Sequence, residues 1–160
     1  MSPLARRFAF LFLCVLGLGA VPLHAQRERL PPEDRDIVEK RWPNAKRTST
    51  SLRYVVLKSG DPKSSSPVPG DLVSVLYVGA LLNGKIFDQT TDPTKPFKTR
   101  IGRDELIAGW DQALQLMHRG DKWILIVPYE LGYGTRGQPP HIPQRATLVF
   151  EMELVDFVKE

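Results

Sequence analysis

The chain has 160 residues, 42% of them hydrophobic and 25% charged, which suits one folded domain with short appendages and excludes a disordered or collagen-like chain. Its 22 basic and 18 acidic residues give a net charge of +4. The basic residues form no stripe, so the balance argues against nucleic-acid binding.

Residues 1–25 depart from this average. Arg6 and Arg7 precede an apolar run over 8–20, and no acidic residue occurs before Glu28. A basic stretch, a short apolar run and then small residues follow the order of a secretory signal peptide. The run is shorter than the ~20 apolar residues that span a membrane, and Pro22 breaks it. Cleavage is expected after Ala25, with Ala20 as the second candidate and an uncleaved anchor as the alternative. The exported protein would be periplasmic or secreted. It would lose Cys14, the single cysteine, which suits an oxidising compartment. Its charge would fall to +2, because Arg6 and Arg7 are the only charged residues of the leader.

Residues 26–50 read as an extension. Pro31 and Pro32, followed by Glu33, Asp34 and Asp36, mark a helix start with acids at the positive end of the dipole. Pro43 stops that helix at about ten residues, a length that is marginal in isolation. Its apolar face is narrow, with Ile37, Val38 and Trp42, and it either docks on the main domain or stays mobile.

From residue 51 to 160 the pattern becomes that of a single domain. Residues 52–58 read as a strand, and 63–70, with three serines and two prolines, as a loop. Residues 71–82 alternate, with Val73, Val75 and Tyr77 on one face. Asn83-Gly84 is a hairpin signal, because both positions tolerate positive φ, and 85–88 is the returning strand. A turn-rich stretch precedes a short strand over 97–101. Leu106, Ile107, Trp110, Leu114 and Met117 have helical spacing over 104–118, although Gly109 moves the regular helix towards Trp110 and Gly120 ends it. Residues 121–127 form an apolar strand and 128–143 an irregular excursion. Residues 146–158 alternate, with Leu148, Phe150, Met152 and Leu154 facing inward. No internal repeat and no second domain is visible. The fold class is α+β: an antiparallel sheet with one face covered by a short helix.

Familiar catalytic equipment is missing from this pattern. No cysteine nucleophile survives export, and His118 and His141 have no metal-binding spacing. His118, near the helix C-terminus, reads as a favourable partner of the dipole. No glycine-rich loop precedes a helix. Taken one at a time, the aromatic and aliphatic residues near turns are ordinary core residues.

In combination they carry more. The blocks VLYVGALLNGKIFDQT at 75–90, KPFKTRIG at 95–102 and ELIAGWDQAL at 105–114 are followed by GDKWILIVPYELGYG at 120–134 and IPQRATLVFEMEL at 142–154. In order, spacing and turn chemistry, residues 70–154 resemble an FKBP-type peptidyl-prolyl cis-trans isomerase of the macrolide-binding immunophilin family. The resemblance implies a sheet wrapped around the short helix, a pocket between them, and Trp110 as its floor. It implies catalytic roles for Tyr77, Phe87, Asp88, Trp110 and Tyr133. Phe97, Leu106, Ile107, His141, Ile142 and Phe150 would bind substrate. Asp88 would accept hydrogen bonds beside the prolyl segment, while the Ile107 N–H and the Tyr133 hydroxyl would hold substrate carbonyls. The implied substrates are proline-containing unfolded or extended polypeptides, with no cofactor, no metal and a monomeric protein. Macrolides such as tacrolimus or rapamycin are implied ligands. The chain departs from the family where Thr99 follows Phe97 and Lys98, and where His141 precedes Ile142. Both changes would make the pocket rim more polar, unless His141 is simply a solvated loop residue. The loop over 135–144 is too short for an inserted flap domain, so chaperone activity is secondary. Two other readings stay open at this stage. One is a non-catalytic module that binds proline-bearing segments, and the other an accessory tethered through the basic residues of 40–53.

Overall fold

A computed structural model describes residues 29–159; the leader expected at 1–25 lies outside the described residues. The strands are β1 (Lys46–Arg47), β2 (Arg53–Lys58), β3 (Leu72–Leu81), β4 (Ile86–Thr90), β5 (Phe97–Arg100), β6 (Lys122–Val127) and β7 (Leu148–Val158). They form one antiparallel sheet in the order β1-β2-β6-β7-β3-β4, with β5 also paired to β3. Two α-helices are described, α1 (Pro32–Arg41) and α2 (Ala108–Leu114). The α+β architecture of a sheet with a short helix on one face is therefore the observed one.

The alternation in β3 and β7 decides what faces the helix. Val73, Val75, Tyr77, Gly79 and Leu81 are buried along β3, with half-buried residues between them. Leu148, Phe150, Met152 and Leu154 do the same along β7. The two strands pair over their length, so Tyr77 lies opposite Met152 and Gly79 opposite Phe150. The helix presents Trp110, Ala113 and Leu114 to this surface, and Met117 follows just beyond it; all four join the main core. Gly109 allows the approach. A Cβ there would stand 2.7 Å from Cγ1 of Val127.

The regular helix is shorter than the apolar spacing over 104–118 suggests. It begins at Ala108 and ends at Leu114, because the chain turns back into β6 through a buried carboxylate. Asp121 accepts the His118 N–H at 2.7 Å and the Gly60 N–H at 2.6 Å. Gly60 is required there, since a Cβ would meet the Arg119 carbonyl oxygen at 2.1 Å. His118 consequently lies past the helix end, its Nδ1 3.7 Å from Asp121 Oδ2. Its partner is this side chain rather than the helix dipole. The two-residue β1 and the short 3-10 turn Tyr129–Leu131 carry no periodic signal in the sequence. A hairpin forms at Asn83-Gly84, but not as a two-residue turn: Gly84 alone of the pair has positive φ, at +90°, and Leu82, Asn83 and Gly84 lie between the bonded Leu81 and Lys85.

The extension docks. Val38 of α1 is fully buried, and with Leu30 it packs against Leu82 and Ile126 on the sheet face opposite α2. Asp34 accepts a 2.6 Å hydrogen bond from the Thr147 hydroxyl, and the Arg41 guanidinium donates to the Leu82 carbonyl at 3.0 Å. Glu33 and Asp34 in the first turn and Lys40 and Arg41 in the last complement the helix dipole. The sheet is therefore covered on both faces here, by α2 on one and α1 on the other.

Candidate active site

Between α2 and the sheet the packing leaves a cavity of about 440 Å³. Two local features of the strands make its walls. The first is a bulge in β4. Gly79 pairs with Asp88, and the next residue of β3, Ala80, pairs with Ile86, so Phe87 has no partner across the ladder. Neighbouring strand residues ordinarily face opposite ways, and an extra residue re-aims a side chain. Phe87 and Asp88 thus both line the cavity, whereas Ile86 is exposed. The second feature is Gly79 itself. A Cβ on it would stand 2.8 Å from the Phe150 ring and 2.9 Å from the Phe87 ring. Without a side chain at this position, the two rings meet edge to face with centroids 5.7 Å apart.

Trp110, only 5% exposed, is the hub of the aromatic wall. Its ring stands edge to face with Tyr77 at 4.8 Å, Phe150 at 5.2 Å and Phe97 at 6.3 Å between centroids. Such perpendicular pairs match the positive edge of one ring to the negative face of another. Helix α2 orients the indole, and the chain enters that helix through Ile107. The Ile107 carbonyl accepts from the Trp110 and Asp111 N–H groups. Its own N–H stands just ahead of the first helical turn, where the helix supplies no acceptor.

The polar groups of the wall are few and placed. The Tyr77 hydroxyl donates to Asp88 Oδ2 at 2.6 Å, and the Gln89 N–H donates to Asp88 Oδ1 at 2.9 Å. Burial pushes the Tyr77 phenol up to about 12, helped by its hydrogen bond to Asp88 and by that residue's charge. Tyr133 is also raised, by burial first and then by the Asp88 charge. Both phenols therefore keep their protons at neutral pH and act as hydrogen-bond donors. Trp110 Nε1 is buried without a hydrogen-bond partner among the described residues. Nothing in this arrangement forms a proton relay. It is a cleft with aromatic walls and a polar rim of carboxylates and phenols, suited to holding an extended segment.

Nine of the residues singled out from the sequence meet here: Tyr77, Phe87, Asp88, Phe97, Leu106, Ile107, Trp110, Tyr133 and Phe150. His141 and Ile142 do not line the cavity. Residues 138 and 142 pair as an isolated bridge, and the His141 N–H bonds back to the Gln138 carbonyl at 3.2 Å. That tight turn sends Ile142 into the core, 2% exposed, and leaves His141 outside in solvent. Thr99 is not a rim group either. It is 7% exposed, and its hydroxyl donates to Glu105 Oε2 at 3.3 Å. Rim polarity comes instead from Asp104 and Glu105, which line the cavity with Ala108 and Gly132. Periodicity gives no sign of these four: Asp104, Glu105 and Gly132 sit in the wall because of loop geometry, and Ala108 as the first residue of α2. The sequence signals for Gly79 were its glycine on an inward strand position and its place two residues after Tyr77.

Comparison with known proteins agrees with this geometry. The family model for the FKBP-type peptidyl-prolyl cis-trans isomerase matches residues 63–155. FK506-binding protein 1A of Aspergillus fumigatus is 42% identical over 99 residues, covering 62% of this chain and 88% of that protein. The mouse peptidyl-prolyl cis-trans isomerase FKBP2 is 48% identical over 86 residues, covering 54% of this chain and 61% of that protein. Among solved structures, a peptidyl-prolyl cis-trans isomerase from Pseudomonas syringae superimposes with a TM-score of 0.69 at 36% identity. That match covers 79% of this chain and 92% of the other. The aromatic cleft, the sheet around one short helix and the matched residues lead to one conclusion: the chain belongs to the FKBP-type peptidyl-prolyl cis-trans isomerase family.

Proposed function

We propose that this isomerase acts on exported proteins, accelerating X–Pro rotation in their unfolded or extended segments by desolvation and orientation. The observation that carries the catalytic part is the cavity over Trp110, walled by aromatic rings and furnished with the Tyr77–Asp88 pair. Resonance gives the peptide bond a rotation barrier of ~18–20 kcal/mol, and at X–Pro bonds both isomers are populated but exchange slowly. Twisting the C–N bond reduces charge separation between the amide oxygen and nitrogen. Water therefore stabilises the planar ground state more than the twisted form, and an aromatic cleft removes part of that preference. The Ile107 N–H and the Tyr133 hydroxyl are the donors that would hold neighbouring carbonyls in a turn-like geometry. A barrier lowered by ~4 kcal/mol gives roughly a thousandfold acceleration, and no proton transfer is required.

The export part rests on Arg6, Arg7 and the apolar run over 8–20, an exported member of the family being expected in the periplasm or outside the cell. The name of the Aspergillus relative records FK506 binding, and we extend macrolide binding to the same cavity here. We read the working form as a monomer, with chaperone activity secondary to isomerisation. An exchange assay on short X–Pro peptides tests the catalytic claim. The wild type should exceed the uncatalysed rate, and Asp88→Val, which removes the acceptor of the Tyr77 hydroxyl, should fall well below the wild type. Wild-type exchange equal to the uncatalysed rate would turn the cleft into a binding site only. Mass spectrometry of the protein recovered from a periplasmic extract tests export. A chain beginning at Gln26 or Val21 supports it, and one beginning at Met1 in the cytoplasm overturns it.

A further inference from the structure

Helix α2 carries the floor of the cleft, yet at seven residues it is too short to hold its own place. Its buried residues Ala113 and Leu114 keep it against the core. Two adjacent side chains just past Trp110 tie it to other segments. Asp111 Oδ1 accepts the Gly102 N–H at 2.9 Å, which joins the helix to the turn after β5. Gln112 Oε1 accepts the Thr50 hydroxyl at 2.5 Å. Thr50 has one proton to give, so the Thr48 hydroxyl, 2.8 Å away, donates to it in turn. The three groups form a chain in which each bond polarises the next.

Both threonines belong to the turn between β1 and β2, at the end of the extension and ahead of the residues matched to the family. This turn is fixed by its own bonds. The Thr48 N–H donates to the Leu52 carbonyl at 2.9 Å, and the Ser51 N–H to the Thr48 carbonyl at 3.1 Å. Ser51 is fully buried at φ +72°, in the left-handed region that a residue with a side chain seldom enters. Leu52 beside it is fully buried in the same core as Trp110. Thr50 therefore holds the helix from a set position. A helix of two turns moves as a unit, so a slip at Gln112 reaches Trp110 two residues away. Trp110 meets Tyr77, Phe97 and Phe150 edge to face, and such contacts depend on orientation.

We propose that Thr50 and Gln112 are positioning residues for the isomerase reaction, through which the N-terminal extension sets the place of the floor. Neither lines the cavity, and both act through Trp110. This role rests on the isomerase reading above and brings into it a segment far from the cleft in sequence. It also separates two attachments of the extension. The bond from Thr147 to Asp34 holds α1, on the sheet face away from α2. The bond from Thr50 reaches α2 itself.

The test compares Thr50→Val, Thr50→Ser, Gln112→Met and Thr147→Val in the full chain, by denaturant melts and by exchange on Leu-Pro peptides. Thr50→Val keeps the shape of the side chain and removes its proton, whereas Thr50→Ser keeps the proton. A misplaced floor should lower kcat/KM about fivefold in Thr50→Val, with Thr50→Ser within about twofold of the wild type. Gln112→Met should lower it by a similar factor, and the double variant Thr50→Val, Gln112→Met no further, because both remove the same bond. Thr147→Val removes a comparable bond and should lose comparable stability with kcat/KM unchanged. Wild-type kcat/KM in Thr50→Val overturns the proposal. So does a Thr50→Ser loss as large as that of Thr50→Val, or a Thr147→Val loss as large, since either would mean general loosening. Should Thr50→Val not fold, Gln112→Met against Thr147→Val decides in the same way. A wild type that fails to accelerate Leu-Pro exchange overturns the isomerase reading, and this role with it.

Discussion

The two faces of the sheet are built from the same alternation and put to different uses. On the outer face α1 closes over Leu82 and Ile126 and buries Val38 completely, while a wide open groove of about 1310 Å³ is left beside the helix, lined by Ile37, Arg41, Leu82 and Thr147. On the inner face α2 is only seven residues long, and beyond its N-terminus the strands bulge instead of packing flat. The cleft opens there, between rings that touch edge to face around Trp110. A well-filled contact such as that around Val38 contributes stability. A face left unfilled at one end contributes less, but it keeps a dry surface for a substrate. The difference comes from few residues: a glycine at 79, an extra residue in β4, and a helix that starts late.

If that contrast is right, substitutions on the inner face should separate activity from stability in a way that those on the outer face do not. Trp110→Ala should show the largest effect. Removing a buried indole costs about 3–5 kcal/mol, and with the floor gone, exchange should fall close to the uncatalysed rate; denaturant melts and the peptide assay read the two losses. Gly79→Ala comes next. Its Cβ would press on the Phe87 and Phe150 rings, with an expected stability loss of about 1–3 kcal/mol and at least a tenfold loss of exchange. A variant that kept wild-type exchange would show that ring placement does not matter. Val38→Ala should cost a similar 1–3 kcal/mol or so while leaving kcat/KM unchanged. A matching fall in activity would erase the distinction between the faces.

Tyr77→Phe should be mildest in stability, at about 1 kcal/mol for one hydrogen bond to a carboxylate partly open to water. Its signature lies in titration. The folded state holds the Tyr77 proton up to about 12, whereas a free phenol releases it near 10. Favouring the protonated form stabilises the fold in full below pH 10 and loses that contribution as the pH rises from there towards 12. Ultraviolet titration of the native wild type should show a tyrosinate transition near the upper value, and the variant should lack it. A Tyr77 that ionised near 10 would mean that the cleft is wet.

Much of this architecture was legible in the chain. The alternation over 71–82 and 146–158, the hairpin at Asn83-Gly84 and the acidic start and basic end of α1 are all local signals, and local signals act wherever the residues are. The resemblance likewise supplied nine residues that the fold brings to one cleft. His141 and Thr99, placed on the rim by the resemblance, and His118, read from its place near the helix end, went differently. The partners that fix them lie across a turn or on another segment: Gln138, Glu105 and Asp121.

By itself, then, the sequence determined which stretches alternate, where the chain turns, and which aromatic residues were available to line a site. Periodicity, turn chemistry and charge are carried by adjacent residues, so they need no tertiary contact to be read. Only the tertiary structure decided that α1 docks on the outer face, that Phe87 and Asp88 share one wall, and that the rim is acidic. Each of those depends on register between strands and on loop paths, where a shift of one residue changes which side chain faces the cleft. The bulge in β4 is the clearest case, because a single unpaired residue turned an ordinary strand into the side of a binding cavity.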